Sequence, residues 1–437
     1  MSTPAEAIPS GSARKVRGLQ YLIIGAGFVL VLSGMRTVFL GDTATSRLAT
    51  VYALTHHGTW YLDRPLSEPP NPFERRTIDK IEIDGRLLSS KPPLLPLAMT
   101  GEYVVLRRLF GWSLDRLHDT KRLLQCMTVS LVGFSYVLTL VFFTRILDLF
   151  VANPWRRLPP LFALTFATQL PGFATQINNH IPAAGMLAAA LYFAVGLSSG
   201  KLAPRAWRFV VFGTTGALVC TLDIPMAIFV ALAGLDLLWR FPRQALQWSG
   251  LGAALPLALH FGIMIAVTGS PLPVQVHPEL YLYEASYWRE PGGLDALHEP
   301  KLTYLFHMTF GRHGAFALFP VLLAGLAGAA RALVRKDTLL RVQVLGAALA
   351  LSILTTYYVL RTNNYGGSAY GFRWYIAAMP VLLLMGLPVF ERLRKRWHWV
   401  FFSAMLAISL YSSWECFRQP WGESHEWTCR LLFGRDY

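Results

Sequence analysis

The stretch GLQYLIIGAGFVLVLSGMRTVFL, residues 18–40, holds one charge, Arg36, and runs directly into Gly41-Asp42. About 20 apolar residues in a helix span the hydrocarbon core of a bilayer, so this stretch is sized to cross one. It is too long for the apolar core of a cleavable signal peptide and has no small-residue cleavage site after it, so it reads as a retained anchor.

The rest of the chain has the same character. Of 437 residues, 54% are hydrophobic and 15% charged, with mean hydropathy +0.40, whereas a soluble domain carries about 25% charged residues. Further runs of spanning length fall at 122–143, 158–177, 181–198, 208–223, 224–239, 248–268, 314–334, 341–360, 374–390 and 398–414. The expected fold is an all-α polytopic membrane protein with about eleven transmembrane helices.

The net charge of +15 follows from topology. With residues 1–17 as a cytoplasmic tail, each inner loop is basic: Arg14/Lys15/Arg17, Arg145/Arg156/Arg157, Lys201/Arg205/Arg208, Arg240/Arg243, Arg331/Arg335/Lys336/Arg341 and Arg392/Arg394/Lys395/Arg396. That is the positive-inside pattern. No basic block with interleaved aromatics stands in a soluble region, so nucleic acid is not an expected partner. An odd number of spans puts loop 41–121, loop 269–313 and tail 415–437 outside. Cys416 and Cys429 fall in that tail, where an oxidising compartment permits a disulfide and two free thiols are equally consistent.

The first outer loop has internal order. Apolar residues between Thr43 and His57 recur at helical spacing, which predicts an amphipathic interfacial helix, and Pro92–Leu109 predicts a second. Pro65, Pro69, Pro70 and Pro72 interrupt the region between them, and TIDKIEIDGRLL, residues 77–88, carries the alternation and Asp-Gly turn of a hairpin. Residues 277–314 are rich in Tyr, Trp, Phe and His, as suits either a lid over a site or an aromatic belt at the interface.

Asp42 at the outer end of the first span is either a helix N-cap or a general base facing an outer cavity. Lys91-Pro92-Pro93 gives an ammonium held at a helix start, a phosphate ligand or a snorkelling lysine. Asn179-His180-Ile181-Pro182 and Asp223-Ile224-Pro225 place polar side chains just before prolines, as caps or as walls of a pocket. The glycine-rich turn from Arg361 through Tyr365 to Arg373 offers two guanidinium groups for phosphate oxygens. The chain lacks the phosphate-loop, dinucleotide-binding and zinc-protease motifs, so ATPase, dehydrogenase and zinc-protease chemistry have no support in it.

Gly41-Asp42, Ser46-Arg47-Leu48-Ala49-Thr50 through His57-Gly58-Thr59-Trp60, and Lys91-Pro92-Pro93-Leu94-Leu95 together resemble the GT-C membrane glycosyltransferases. The similar branch contains the aminoarabinose lipid A transferases and protein O-mannosyltransferases. The resemblance covers roughly residues 18–240; residues 241–414 are similar only in spanning a membrane. It implies a polyprenyl-phosphate sugar donor, an acceptor that is a lipid, polysaccharide or protein, and inverting transfer on the extracytoplasmic face; the modest size and short tails favour a bacterial inner membrane, with the site on its periplasmic side, over an endoplasmic reticulum membrane. Asp42 is then the expected base, with Lys91, Arg361 and Arg373 on the donor phosphate and Asn179, His180, Asp223 and Tyr365 in the pocket. Many members have an acid after the Gly-Asp and another before the Lys-Pro-Pro, where this chain has Thr43 and Ser90. Glu82 and Asp84 are the expected substitutes, and a divalent metal is left open. The rival expectations are a flippase for a lipid-linked glycan and a non-catalytic membrane scaffold.

Overall fold

The computed structural model describes residues 10–35, 41–63, 66 and 77–422. Arg36–Leu40, the four prolines of the insert and Cys429 lie outside them. The described chain is helical apart from one two-stranded hairpin. Among the described residues seven helices are long and apolar enough to cross a membrane, and two shorter apolar helices, Ala206–Leu222 and Pro320–Val334, accompany them.

Helix α1 (Ser10–Gly34) starts earlier than expected, so Arg14, Lys15 and Arg17 occupy its first turns. After it come α2 (Asp42–Tyr52), which continues as a π-helical turn to His57, the hairpin of β1 (Lys80–Ile83) and β2 (Arg86–Ser89), and α3 (Leu94–Phe110). Helix α4 (Leu117–Phe150) is longer than its apolar run and contains a π segment at Thr128–Gly133. The run 158–177 is no single helix: α5 (Leu158–Phe166) ends before Thr168-Gln169, and only a short turn forms at Leu170–Phe173, where Pro171 cannot continue a helix. Helices α6 (His180–Ser198), α7 (Ala206–Leu222), α8 (Ala227–Arg240) and α9 (Pro242–Thr268) follow.

Helix α10 (Lys301–Thr309) precedes α11 (Pro320–Val334), α12 (Arg341–Arg361), α13 (Arg373–Phe390) and α14 (Arg396–Arg418). Helix α14 runs past the expected start of the tail, and Cys416 is buried within it against the backbone of Gln169 and Gly172.

Helix α6 is the hub. It is apolar on all sides, as a helix surrounded by protein must be, and nearly all of its residues are buried against α4, α7, α8 and α13. By contrast α1, α9, α12 and α14 carry exposed Leu, Val, Ile, Trp and Tyr side chains, the apolar exterior that a membrane protein presents to lipid. Close helix crossings use glycine: a Cβ on Gly213 would strike the Ser249 carbonyl on α9, and one on Gly328 of α11 the Met385 carbonyl on α13. Small residues let helix backbones approach in this way.

The hairpin forms as its sequence predicts. Asp84 and Gly85 both have positive φ, 51° and 73°, the two-residue turn that matches strand twist, and Ile81 pairs with Leu88 across the ladder. Helix α2 departs from expectation. Residues Ala44 through Val51 are all buried, so it is enclosed by α3 and the hairpin instead of lying on a membrane surface with one apolar face.

Candidate active site

Two adjoining cavities, of about 820 Å³ and 320 Å³, share Thr43, Lys91, Gln275, Arg373, Trp374 and Trp421 in their walls. The larger adds Asp42, Asp79, Asp295 and the turn Gly366-Gly367-Ser368. The smaller adds Asn179, His180, Asp223 and Arg361. Residues from distant parts of the sequence meet here because α2, the hairpin, the segment after α9 and the turn before α13 converge.

Asp42 is not the cap of its own helix. Gly41 holds the N-cap position, and Asp42 Oδ1 accepts a hydrogen bond of 3.1 Å from the Ile78 amide, while the Asp42 carbonyl accepts one from the Thr77 hydroxyl at 2.9 Å. The carboxylate therefore ties the start of α2 to the approach of β1, at the wall of the larger cavity.

Lys91 is neither a snorkelling nor an isolated cation. Its Nζ lies 2.7 Å from Asp79 Oδ1, and the Thr43 hydroxyl donates to Asp79 Oδ2 at 2.9 Å. Burial opposes ionisation of Asp79, but Lys91, the Thr43 hydroxyl and Arg373 overcome it and hold the carboxyl below its ordinary value. Burial lowers the Lys91 ammonium; Asp79 opposes that, and Arg47 and Arg373 add to it. Sequence reasoning missed Asp79, whose position directly beside the β1 strand gave no helical or motif signal.

Arg47 was also missed as a site residue. It is fully buried; Nη1 donates to the Thr43 carbonyl at 3.0 Å and Nη2 to Asn179 Oδ1 at 2.9 Å, leaving Nε without a hydrogen-bond partner among the described residues. Burial pulls its pKa down to about 10, against the pull of Asp79. Asn179 in turn donates to the Leu222 carbonyl at 3.0 Å, so one amide joins α2, α6 and α7. It does not cap α6; the Asn178 side chain does, accepting from the Ile181 amide at 3.0 Å. Asp223 caps nothing either, since its Oδ2 sits 2.7 Å from His180 Nδ1 in a buried pair.

Arg373 faces both cavities, with its guanidinium 5.2 Å from the Trp421 ring centre and its buried Nε without a hydrogen-bond partner among the described residues. Arg361, at the end of α12, is exposed and lines the smaller cavity only. The turn between them places Gly366, Gly367 and Gly371 at φ of 92°, 76° and 75°, conformations that glycine adopts without strain.

Tyr365, Glu82 and Asp84 do not join the site. The Tyr365 ring is buried between Tyr304 and His313, at centroid separations of 4.4 Å and 4.6 Å, and its hydroxyl donates to Glu299. Its neighbours in the turn line the larger cavity, but this ring serves the support behind it. Glu82 and Asp84 belong to the hairpin, with Asp84 exposed at its tip, and neither reaches a cavity wall.

The segment after α9 covers the larger cavity. Trp288 Nε1 donates to the Ile78 carbonyl at 3.1 Å, Gln275 to the Ser90 carbonyl at 2.6 Å, and Asn364 donates to Asp295 Oδ1 at 2.5 Å. These bonds link the first loop to the glycine turn through the segment, so its polar atoms act as a strap. Tyr281 of the strap lines the same cavity, and burial pushes its phenol up to about 12. Among the described residues no three His, Cys, Asp or Glu side chains converge in a metal-binding group. No protein-family model matches the chain, and no curated protein matches it.

Proposed function

We propose that the chain is an integral-membrane glycosyltransferase that moves one sugar from a polyprenyl-phosphate donor to an acceptor on the extracytoplasmic face. The observation that carries this reading is the composition of one cavity wall. A carboxylate, Asp42, shares the larger cavity with Lys91 and Arg373, and the buried Arg373 Nε has no hydrogen-bond partner among the described residues. An acid able to take a proton beside cations able to take a phosphate is what transfer from a sugar phosphate requires.

In the proposed reaction the acceptor hydroxyl attacks the anomeric carbon as the carbon–oxygen bond to phosphate breaks. The phosphate leaves with the bonding electron pair, and inversion follows from the single displacement. Asp42 accepts the hydroxyl proton. Lys91 and Arg373 stabilise charge growing on the phosphate, and Arg361 extends that field along the smaller cavity. Asp79 holds Lys91 in place, while Arg47 and Asn179 hold α2 against α6, so the reacting groups keep one geometry. The strap over the cavity limits water.

The same reading takes the helical stretches as eleven crossings, with the N-terminus in the cytoplasm, the C-terminus outside and the site facing the periplasm of a bacterial inner membrane. The test is to give purified protein in vesicles a set of radiolabelled polyprenyl-phosphate sugars with envelope lipid, polysaccharide and protein acceptors. Label should move to one acceptor class, with release of polyprenyl phosphate. Movement of intact donor across the vesicle without cleavage of its sugar–phosphate bond would replace the transferase by a flippase.

A further inference from the structure

Beside the two cavities a narrow cleft of about 40 Å³ runs between α9 and the start of α3. Its walls include Pro96, Ile224, Ile263 and Met264, and it reaches Lys91 and Gln275, which also line the larger cavity. His260 projects into this cleft from α9. The residue is 5% exposed, and its Nδ1 finds no hydrogen-bond partner among the described residues. A buried polar atom left unpaired costs about 1–3 kcal/mol, and an ionisable side chain inside an apolar span marks a functional site.

The surroundings define what could satisfy it. Leu255, Leu259, Phe261 and Ile265 on the same helix are exposed apolar side chains, so α9 faces lipid on either side of the cleft. His260 lies two helical turns before Thr268, the last residue of α9 and another part of the cleft wall. A lipid that pairs with this atom from the membrane side is apolar along its length, carries an oxygen below its head group, and ends beside the cationic side of the cavity. A wholly hydrocarbon prenyl chain has no such oxygen.

We propose that this cleft binds an acyl-linked membrane lipid, with His260 Nδ1–H donating a hydrogen bond to an ester carbonyl of one chain. The head group then lies next to Lys91, at the edge of the larger cavity. This is a binding site in its own right and does not depend on the transfer reaction.

The test uses full-length protein in detergent, titrated with a diester phosphatidylglycerol and its diether analogue of identical head group and chain length, with affinity read from the thermal shift. The ester should bind about fivefold more tightly, the worth of one hydrogen bond. The preference should vanish in His260→Leu and persist in His260→Gln, which keeps a donor. Ile263→Trp, which fills the cleft without altering His260, should weaken both lipids, and it decides the matter should His260→Leu not fold. Equal binding of ester and ether lipid by the wild type would overturn the proposal, as would an ester preference that survives in His260→Leu or undiminished binding of both lipids by Ile263→Trp.

Discussion

Replacing Asp79 by Asn strands the Lys91 ammonium in a partly buried site that already contains two guanidinium groups. The Nζ–Oδ1 separation is 2.7 Å, and the side chains are 21% and 15% exposed. At an effective dielectric constant of about 20, the attraction at that distance is on the order of 6 kcal/mol before desolvation is counted. Breaking a buried pair from one side typically costs about 3–5 kcal/mol, and the residual exposure of both groups puts Asp79→Asn near the bottom of that range, about 3 kcal/mol. Asn still accepts from the Thr43 hydroxyl, so the loss reports the charge. Adding Lys91→Met removes the stranded ammonium, and the double variant should be more stable than Asp79→Asn alone. Equilibrium unfolding in mixed micelles, followed by tryptophan fluorescence, measures the cycle. Additive losses in the double variant would refute the ion-pair account.

The pH dependence has a definite sign. The folded-state pKa of Asp79 lies below its unfolded value, so its contribution is complete above about pH 4 and disappears as pH falls through the lower folded value. The gap between wild type and Asp79→Asn should be full at about pH 5 and close on further acidification.

Three other perturbations probe the frame. Gly328→Ala forces a Cβ onto the Met385 carbonyl and should cost about 1–3 kcal/mol, whereas Gly262→Ala, with open space around its Cβ, should be neutral or stabilising by up to about 1 kcal/mol; detergent melting curves compare them. Arg47→Met removes the bonds to Thr43 and Asn179 and should lower the melting midpoint by the equivalent of about 2–3 kcal/mol, with a fall in transfer that Arg47→Lys only partly restores. Trp288→Phe deletes the strap's bond to the Ile78 carbonyl; at about 1 kcal/mol, hydrogen exchange in residues 277–300 should speed up about fivefold.

Local signals in the sequence located local structure well. The Asp-Gly turn gave the hairpin, helical spacing gave α2 and α3, and most apolar runs gave helices, α9 included although Pro256 lies inside it. Where prolines and glycines interrupt a run, as at Pro171 and Pro320, length and hydropathy overestimated the continuous helix. The site was half legible. Asp42, Lys91, Arg373, Asn179, His180 and Asp223 stand at ends of elements, where polar residues beside apolar runs attract notice. Asp79 and Arg47 did not, because what distinguishes them is tertiary: one faces a lysine twelve positions away, the other an amide on α6. Asp295 and Trp421 reach the cavity only because the strap and the chain after α14 fold over it. Tyr365 was misread because its backbone belongs to the cavity turn while its ring packs behind it.

The most direct measurement of the central claim compares wild type, Asp42→Asn and Asp42→Glu in purified membranes, scoring binding of a radiolabelled polyprenyl-phosphate sugar and its transfer separately. A positioned base contributes about 10²–10⁴-fold, so Asp42→Asn should bind the donor normally and lose transfer by at least about 100-fold, with partial recovery in Asp42→Glu. Transfer at the wild-type rate by Asp42→Asn would contradict the account, leaving Asp42 as the tie to Ile78 and nothing more.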